Sequence, residues 1–517
     1  MRHLKATVSL LAMSGLLLSA SIAQADTDGK KKDDKDKKDY TPTHVQMGTI
    51  DVCKDDKALG LNAFCLDSSG NILCAVGKSV QVYGRQKGSE NVKQGIRVFN
   101  PEGEMTAFWA LDFSPQAIGF GEDNHIYVGG EGKIARLNRN GKIVSQSDAP
   151  NMQNREEMIA KLKKEHKARA KSLARSYNQM IERTQTRLDE QNEIIAAIKE
   201  SPEALAKQLE KSAEAQVKTL RTQLKNYQSY KTRYEGMLEK ANDASKKAYE
   251  NAIDNYDRLI VNLEKRIKAR LANAKISPDD PEFEKIAKTE KRKAENMVKS
   301  LERTIKTYKQ YIENNANAEM TDIQIENMLK QKSKVSSIST TGKHVFVVCQ
   351  ATEGYGFDVW KTNAKFEKPE KVVKGLRGCC GQMDVQACEN GLFVAENTGH
   401  RVAHYSLEGK SLGTFGKRDA KGEEGFGSCC NPMNVCFAKG KTVLTAESGT
   451  GRIMQFNQKG EKLAVIGNGK ITGGCKNVAV HATYDLSTVY MLDLTGKKIC
   501  ILKPKADEPS GESKDEK

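Results

Sequence analysis

The chain has 517 residues with 83 Lys/Arg against 67 Asp/Glu, a formal net charge of +16, and twelve cysteines. The length leaves room for more than one domain. The positive charge is interleaved with negative charge along the chain, as in KKKDDKDKKD, and no RNA- or DNA-binding motif accompanies it, so the balance reads as a solvated surface and excludes a nucleic-acid partner.

Residues 1–25 read as a secretory signal. Arg2, His3 and Lys5 precede an apolar run from about Ala6 to Ala23, and Ala23-Gln24-Ala25 supplies small residues for cleavage. An uncleaved N-terminal anchor is the alternative reading of the same run, which is short and serine-broken for a membrane span. No later segment is apolar enough to cross a membrane, so the mature chain is expected to have no span and to be exported, periplasmic or extracellular. Residues 26–43 are a charged linker and residues 505–517 a polar tail.

Residues 44–150 carry short apolar-alternating strands between Gly/Asn/Asp turns. A first unit holds Ala63–Leu66, Asn71–Cys74 and Ser79–Val82; a second holds Ala117–Phe120, His125–Val128 and Ile134–Leu137. Composition then shifts at Pro150. Residues 151–333 contain one glycine, no cysteine, and 38 Lys/Arg against 29 Asp/Glu, a surplus of nine. The rest is dominated by strong helix formers. Apolar residues from Tyr227 through Tyr234 to Ala248, and on to Leu271, recur every three or four positions, a coiled-coil seam with a shift of phase near Ala252. Ser201-Pro202-Glu203 reads as a cap with proline opening a helix, and Ser277-Pro278-Asp279-Asp280-Pro281 as a break. The segment is therefore expected to be an inserted antiparallel coiled coil that binds a protein partner, associates with a second copy or acts as a spacer.

Strand patterning resumes over residues 334–504. Residues 378–416 (GCCGQMDVQACENGLFVAENTGHRVAHYSLEGKSLGTFG) are restated over residues 428–467 (SCCNPMNVCFAKGKTVLTAESGTGRIMQFNQKGEKLAVIG). Self-similarity at this spacing marks a propeller or solenoid. Four further units after the insertion bring the count to six, and Val45–Ile50 is left over to close the ring by pairing with the last unit. The expected fold class is an all-β six-bladed propeller carrying a long helical insertion.

Ala446-Glu447-Ser448-Gly449-Thr450-Gly451-Arg452-Ile453-Met454-Gln455-Phe456, followed by Gly460, resembles an NHL repeat, and Ala395-Glu396-Asn397-Thr398-Gly399-His400-Arg401-Val402, followed by Gly409, is similar. The resemblance is good in units four and five, partial in six and weak in one to three. It implies a six-bladed propeller. The Cys-Cys-Asn-Pro-Met-Asn form also resembles exported bacterial propellers whose role is not established. NHL propellers include scaffolds and enzymes, so the likeness does not choose between them.

An acid followed five residues later by a base recurs in register: Glu396 and Arg401, Glu447 and Arg452, Asp493 and Lys498. Repetition points to ion pairs that staple the repeat, and no catalytic residue is indicated. Cys380, Cys430 and Cys475 each stand five residues before an inner-strand valine, and Cys379 and Cys429 add a second sulfur in two units. Equivalent inner-strand entries share one mouth of a propeller channel, so these five sulfurs are expected to cluster. Three chemistries fit: disulfides in the exported compartment, a thiolate site for a metal such as zinc or copper, with Met383 and Met433 near in sequence, or a redox-active vicinal pair. The leading functional reading is an exported, non-catalytic binding or scaffold protein. The alternative is an enzyme or metal-handling protein with its centre at the cysteine mouth.

Overall fold

The computed structural model describes residues 41–79, 93–239, 241, 243–273, 277–316, 319–379, 381–419, 424–427, 430–474 and 477–505. The signal and linker readings on residues 1–40, and most of the tail, lie outside them.

Twenty-four strands form six four-stranded antiparallel sheets among the described residues. After β1 (His44–Asp51), the first sheet holds β2 (Gly60–Leu66), β3 (Ile72–Gly77), β4 (Gly95–Phe99) and β5 (Met105–Ala110). The second holds β6 (Ala117–Phe120), β7 (Ile126–Gly130), β8 (Lys133–Leu137) and β9 (Ile143–Asp148). Beyond the helical insertion come β10 (Val335–Thr341), β11 (His344–Gln350), β12 (Phe357–Asn363) and β13 (Glu370–Leu376). The fourth sheet is β14 (Val385–Cys388), β15 (Gly391–Glu396), β16 (Arg401–Tyr405) and β17 (Ser411–Phe415). The fifth is β18 (Asn434–Ala438), β19 (Thr442–Ala446), β20 (Arg452–Phe456) and β21 (Lys462–Asn468). The sixth takes β22 (Val480–Ala482), β23 (Val489–Asp493) and β24 (Lys498–Pro504), and its fourth strand is β1, paired with β24 from His44 opposite Pro504 to Asp51 opposite Lys498.

The first strands touch in order, β2 to β6, β10, β14, β18 and β22, and β22 returns to β2. Six apolar clusters fill the spaces between neighbouring sheets, one for each space, including sixth against first. The second strands explain this. Ile72-Leu73-Cys74-Ala75-Val76 is apolar at every position, so alternate residues serve two interfaces: Cys74 packs toward the sixth sheet and Leu73 toward the second. Outer strands such as β5 and β9 are largely exposed. This is a β-propeller, and the pairing of β1 with β24 leaves no break where the chain starts. Glycine sets how closely neighbours dock. Gly409 and Gly460 adopt φ of +85° and +89°, and a Cβ there would lie 1.8 Å from Val372 O and 2.2 Å from Phe415 Cβ of the preceding sheet.

The insertion comprises α1 (Arg155–Glu200), α2 (Pro202–Leu238), α3 (Asp243–Asn273), α4 (Phe283–Asn315) and α5 (Asp322–Lys332). The 46 residues of α1 span about 69 Å at 1.5 Å per residue. Ser201 ends α1 and caps α2, its Oγ accepting from Ala204 N at 3.0 Å, with Pro202 at the first helical position. Helix α1 packs against α4 and α2 against α3.

Two expectations require correction. Ser79 is not in a strand, Val80–Val82 lie outside the described residues, and the third strand of the first sheet is β4. The tyrosine-rich seam is not one helix with a shift of phase: the chain turns after Leu238. Tyr234 then meets Tyr249 and Tyr256 across a helical hairpin, at centroid distances of 6.2 and 5.7 Å. Ala241-Asn242-Asp243 supplies the reason, since Asn and Asp favour caps and turns over helix interiors.

Candidate functional site at the arm-bearing mouth

In a four-stranded antiparallel sheet the last strand ends where the first begins. Each connection from an outer strand to the next inner strand therefore opens on the same end of the ring. The helical insertion joins β9 to β10, Cys379 lies between β13 and β14, and Cys430 between β17 and β18. Arm and cysteine loops thus share one end of the propeller.

They are also bonded to each other. Lys334, which follows the last helix, directs its Nζ to Gly381 O in the loop that carries Cys379. Asn151 Nδ2 ties the two ends of the insertion together, donating to Lys332 O at 2.8 Å and to Gln350 O at 3.1 Å. Lys332 is buried, and its Nζ donates to Ala351 O and Gly354 O at 2.6 and 2.9 Å. Burial lowers the pKa of both lysines, that of Lys334 to about 8.

Of the five expected mouth cysteines, Cys379 and Cys430 are described, and their sulfurs stand 2.8 Å apart. Cys379 N donates to Asn397 Oδ1 at 2.8 Å, which fixes the loop against the start of the next turn. Cys380, Cys429 and Cys475 lie outside the described residues. Two adjacent sulfurs can be oxidised to a bridge or supply two ligands to a soft ion. Among the described residues no group of three or more His, Cys, Asp or Glu side chains converges on a metal position. Elsewhere in the propeller, burial disfavours the thiolate, pushing Cys53 up to about 11 and Cys349 and Cys436 to about 12.

Inside the mouth, polar side chains link the inner edges of the third to sixth sheets in order. Ser337 Oγ donates to Asp384 Oδ1 at 2.8 Å and to Val385 O at 3.1 Å. Asp384 Oδ2 accepts from Asn434 Nδ2 at 2.7 Å and Val435 N at 2.9 Å. Asn434 Oδ1 accepts from Val480 N at 2.8 Å. Asp384 is buried, and desolvation pushes it up to about 6. Burial drives His481 down to about 4, where its ring meets Phe64 edge-on at 4.8 Å. These groups surround a cavity of about 40 Å3, large enough for a water molecule. Sequence reasoning missed Asp384. Its signal was the match of Met383-Asp384-Val385 with Met433-Asn434-Val435, a polar residue at one repeat position.

The repeated acid–base positions differ from one another. Glu447, 1% exposed, holds Arg452 through two hydrogen bonds of 2.9 and 2.6 Å. Arg401 Nε donates to Glu396 Oε2 at 2.5 Å with its guanidinium half exposed. The third position departs from the expected ion pair. Asp493 accepts from Thr472 N, Thr472 Oγ1 and Gly496 N at 3.0, 2.8 and 3.0 Å, with Lys498 opposite in register. Thr472 and Gly496 supply amide and hydroxyl donors where the other two positions supply a guanidinium.

No protein-family model matches the chain, and no curated protein matches it. Among solved structures, it is similar to a catalytically inactive variant of virginiamycin B lyase from Staphylococcus aureus with quinupristin, at 10% identity and a TM-score of 0.34, covering 90% of this chain and 100% of that one. It is also similar to regucalcin, a calcium-binding protein from Agrobacterium tumefaciens, at 9% identity and a TM-score of 0.37, covering 89% of this chain and 96% of that one. At those TM-scores neither likeness adds to what the ring of sheets establishes.

Proposed function

We propose that this chain is an exported, non-catalytic binding protein: a six-bladed NHL-like propeller acts as a rigid platform, and a coiled-coil arm meets a protein partner or a second copy. The observation that carries this reading is the rooting of the arm on the mouth, through Lys334 to Gly381 O and Asn151 to Lys332 O and Gln350 O. A partner held by the arm is thereby presented to one end of the propeller. Val261 and Tyr230 are 61% and 48% exposed on the α2–α3 hairpin, where an associating surface would need apolar residues. Sedimentation of the full chain and of Val261→Glu tests the arm. A concentration-dependent mass that V261E abolishes supports self-association. A monomer unaffected by the change leaves a different partner as the arm's role, and a multimer unaffected by it refutes assembly through this hairpin. Export is tested by the mature N-terminus, expected at Asp26.

A second reading is favoured by the 2.8 Å approach of Cys379 and Cys430: a thiolate metal or redox centre built with Cys380, Cys429 and Cys475. The sulfurs suit zinc or copper. Elemental analysis of the pure protein, with thiol titration before and after unfolding, separates the readings. Stoichiometric metal lost in Cys379→Ser and Cys430→Ser favours the centre; no metal and bridged cysteines favour the scaffold.

A further inference from the structure

A cleft of about 1320 Å3 lies between the root of the arm and the end of the propeller. Helices α1 and α5 wall it, and Gln116 and Lys334 line both this cleft and the small channel cavity, so one opens beside the other. It exceeds the roughly 300–1,000 Å3 of an ordinary small-molecule pocket.

The charge of its lining is unbalanced in a specific way. All three acids are engaged: Glu131 pairs with Lys78 at 3.0 Å, Glu326 with Arg155 at 2.5 Å, and Glu165 accepts from Gly354 N at 2.9 Å. Arg169, Lys330 and Lys334 line the same cleft with no carboxylate partner among the described residues. Lys334 is the most enclosed of them, and its ammonium meets a backbone carbonyl in place of a counter-charge. The same lining includes Met152, Met320 and Met328, flexible apolar side chains that adapt to varied shapes. Tyr355 stands at the rim, 90% exposed.

A lining that combines unpaired cations with adaptable apolar side chains recognises a molecule with both characters. We infer that this cleft binds a small amphipathic organic anion, a carboxylate or phosphate monoester on an apolar body. Its head meets cations of this lining and its body the methionines. This site is independent of whether the arm self-associates.

The test uses the full-length protein and anilinonaphthalene sulfonate, a fluorescent amphipathic anion. One molecule per chain is expected to bind, and decanoate or decyl phosphate to displace it, their order distinguishing carboxylate from phosphate recognition. Decanol, with the same body and no charge, is expected to need about tenfold higher concentration, the factor that one charge-assisted hydrogen bond supplies. The double variant Arg169→Gln/Lys330→Gln is expected to weaken the probe about tenfold. Lys218→Gln/Arg221→Gln, the same charge change on α2, is expected to leave binding unchanged. Both variants alter exposed side chains, and matching thermal unfolding confirms that neither acts through folding. Equal displacement by decanol and decanoate, equal weakening by the two double variants, or no saturable binding overturns the inference. The decanol comparison decides on the unaltered protein even if a variant misfolds.

Discussion

Asp384 offers the most discriminating perturbation, because its charge and its hydrogen bonds can be separated. Burial raises it to about 6, against about 3.9 in an unfolded chain. The folded state thus holds this proton more tightly than the unfolded state does. The resulting stability is full below about pH 4 and is lost as pH rises through about 6, on the order of 3 kcal/mol over the two-unit shift. His481 works in the opposite sense. Its folded value of about 4 lies below the ordinary 6.5, so its contribution is present above pH 6.5 and is lost as pH falls through 4. The two nearly cancel in the unaltered protein, and only a difference between proteins exposes either. In Asp384→Asn the amide oxygen can accept from Asn434 Nδ2 and Val435 N. The new Nδ2 can donate to Ser337 Oγ, whose hydroxyl keeps Val385 O. Charge is removed while the bonds survive. Urea unfolding of D384N and the unaltered chain at pH 4 and pH 7 is expected to show D384N gaining on the order of 3 kcal/mol relative to the unaltered chain as pH rises. Asp384→Ala removes the same titration and so gains equally as pH rises, but it strands Asn434 Nδ2 and Val435 N and is expected to lie about 3 kcal/mol below D384N at both pH values. A D384N offset that does not change with pH, or one equal to that of D384A throughout, refutes the argument.

Other expectations follow from burial and capping. Glu447→Ala leaves Arg452 without its carboxylate in a nearly closed site and is expected to cost about 3–5 kcal/mol, whereas Glu396→Ala beside the half-exposed Arg401 should cost at most about 1 kcal/mol in the same denaturation assay. Gly409→Ala drives a Cβ against Val372 O and is expected to lower the melting temperature more than any surface substitution. Thr321→Ala removes the capping box with Gln324 at the start of α5 and should cost about 1 kcal/mol, read as faster amide exchange in residues 322–332. Ellman's reagent at pH 8 is expected to leave Cys65, Cys74, Cys349 and Cys436 unmodified until the protein is unfolded, since all four are buried and their thiols are pushed up.

The sheets were legible where repeat and alternation coincide. Val385 and Val435 stand at matching strand starts in two nearly identical phrases, and counting back from them reaches the loops where Cys379 and Cys430 meet. Strand β4 was not legible, because Gly95–Phe99 is five residues long and follows a polar stretch that resembles no other unit. The α2–α3 turn was hidden for a different reason. Tyrosines on both sides of it keep helical spacing, so periodicity passes through a reversal that only Asn242-Asp243 marks. Asp384 in sequence is one acid beside a strand. Its burial comes from Ser337 of the preceding sheet and Asn434 of the following one, 47 and 50 residues away. The cleft depends on how the arm is rooted, which no local pattern encodes.

The approach of the fourth and fifth sheets at the arm-bearing mouth is tested most directly by brief copper-phenanthroline oxidation of the native protein, digestion without reduction, and sequencing of linked peptides. The arrangement predicts a cross-link between the peptides carrying Cys379 and Cys430, formed before any other. A first link joining Cys379 to Cys53 or Cys74, which belong to the space between the sixth and first sheets, would contradict it.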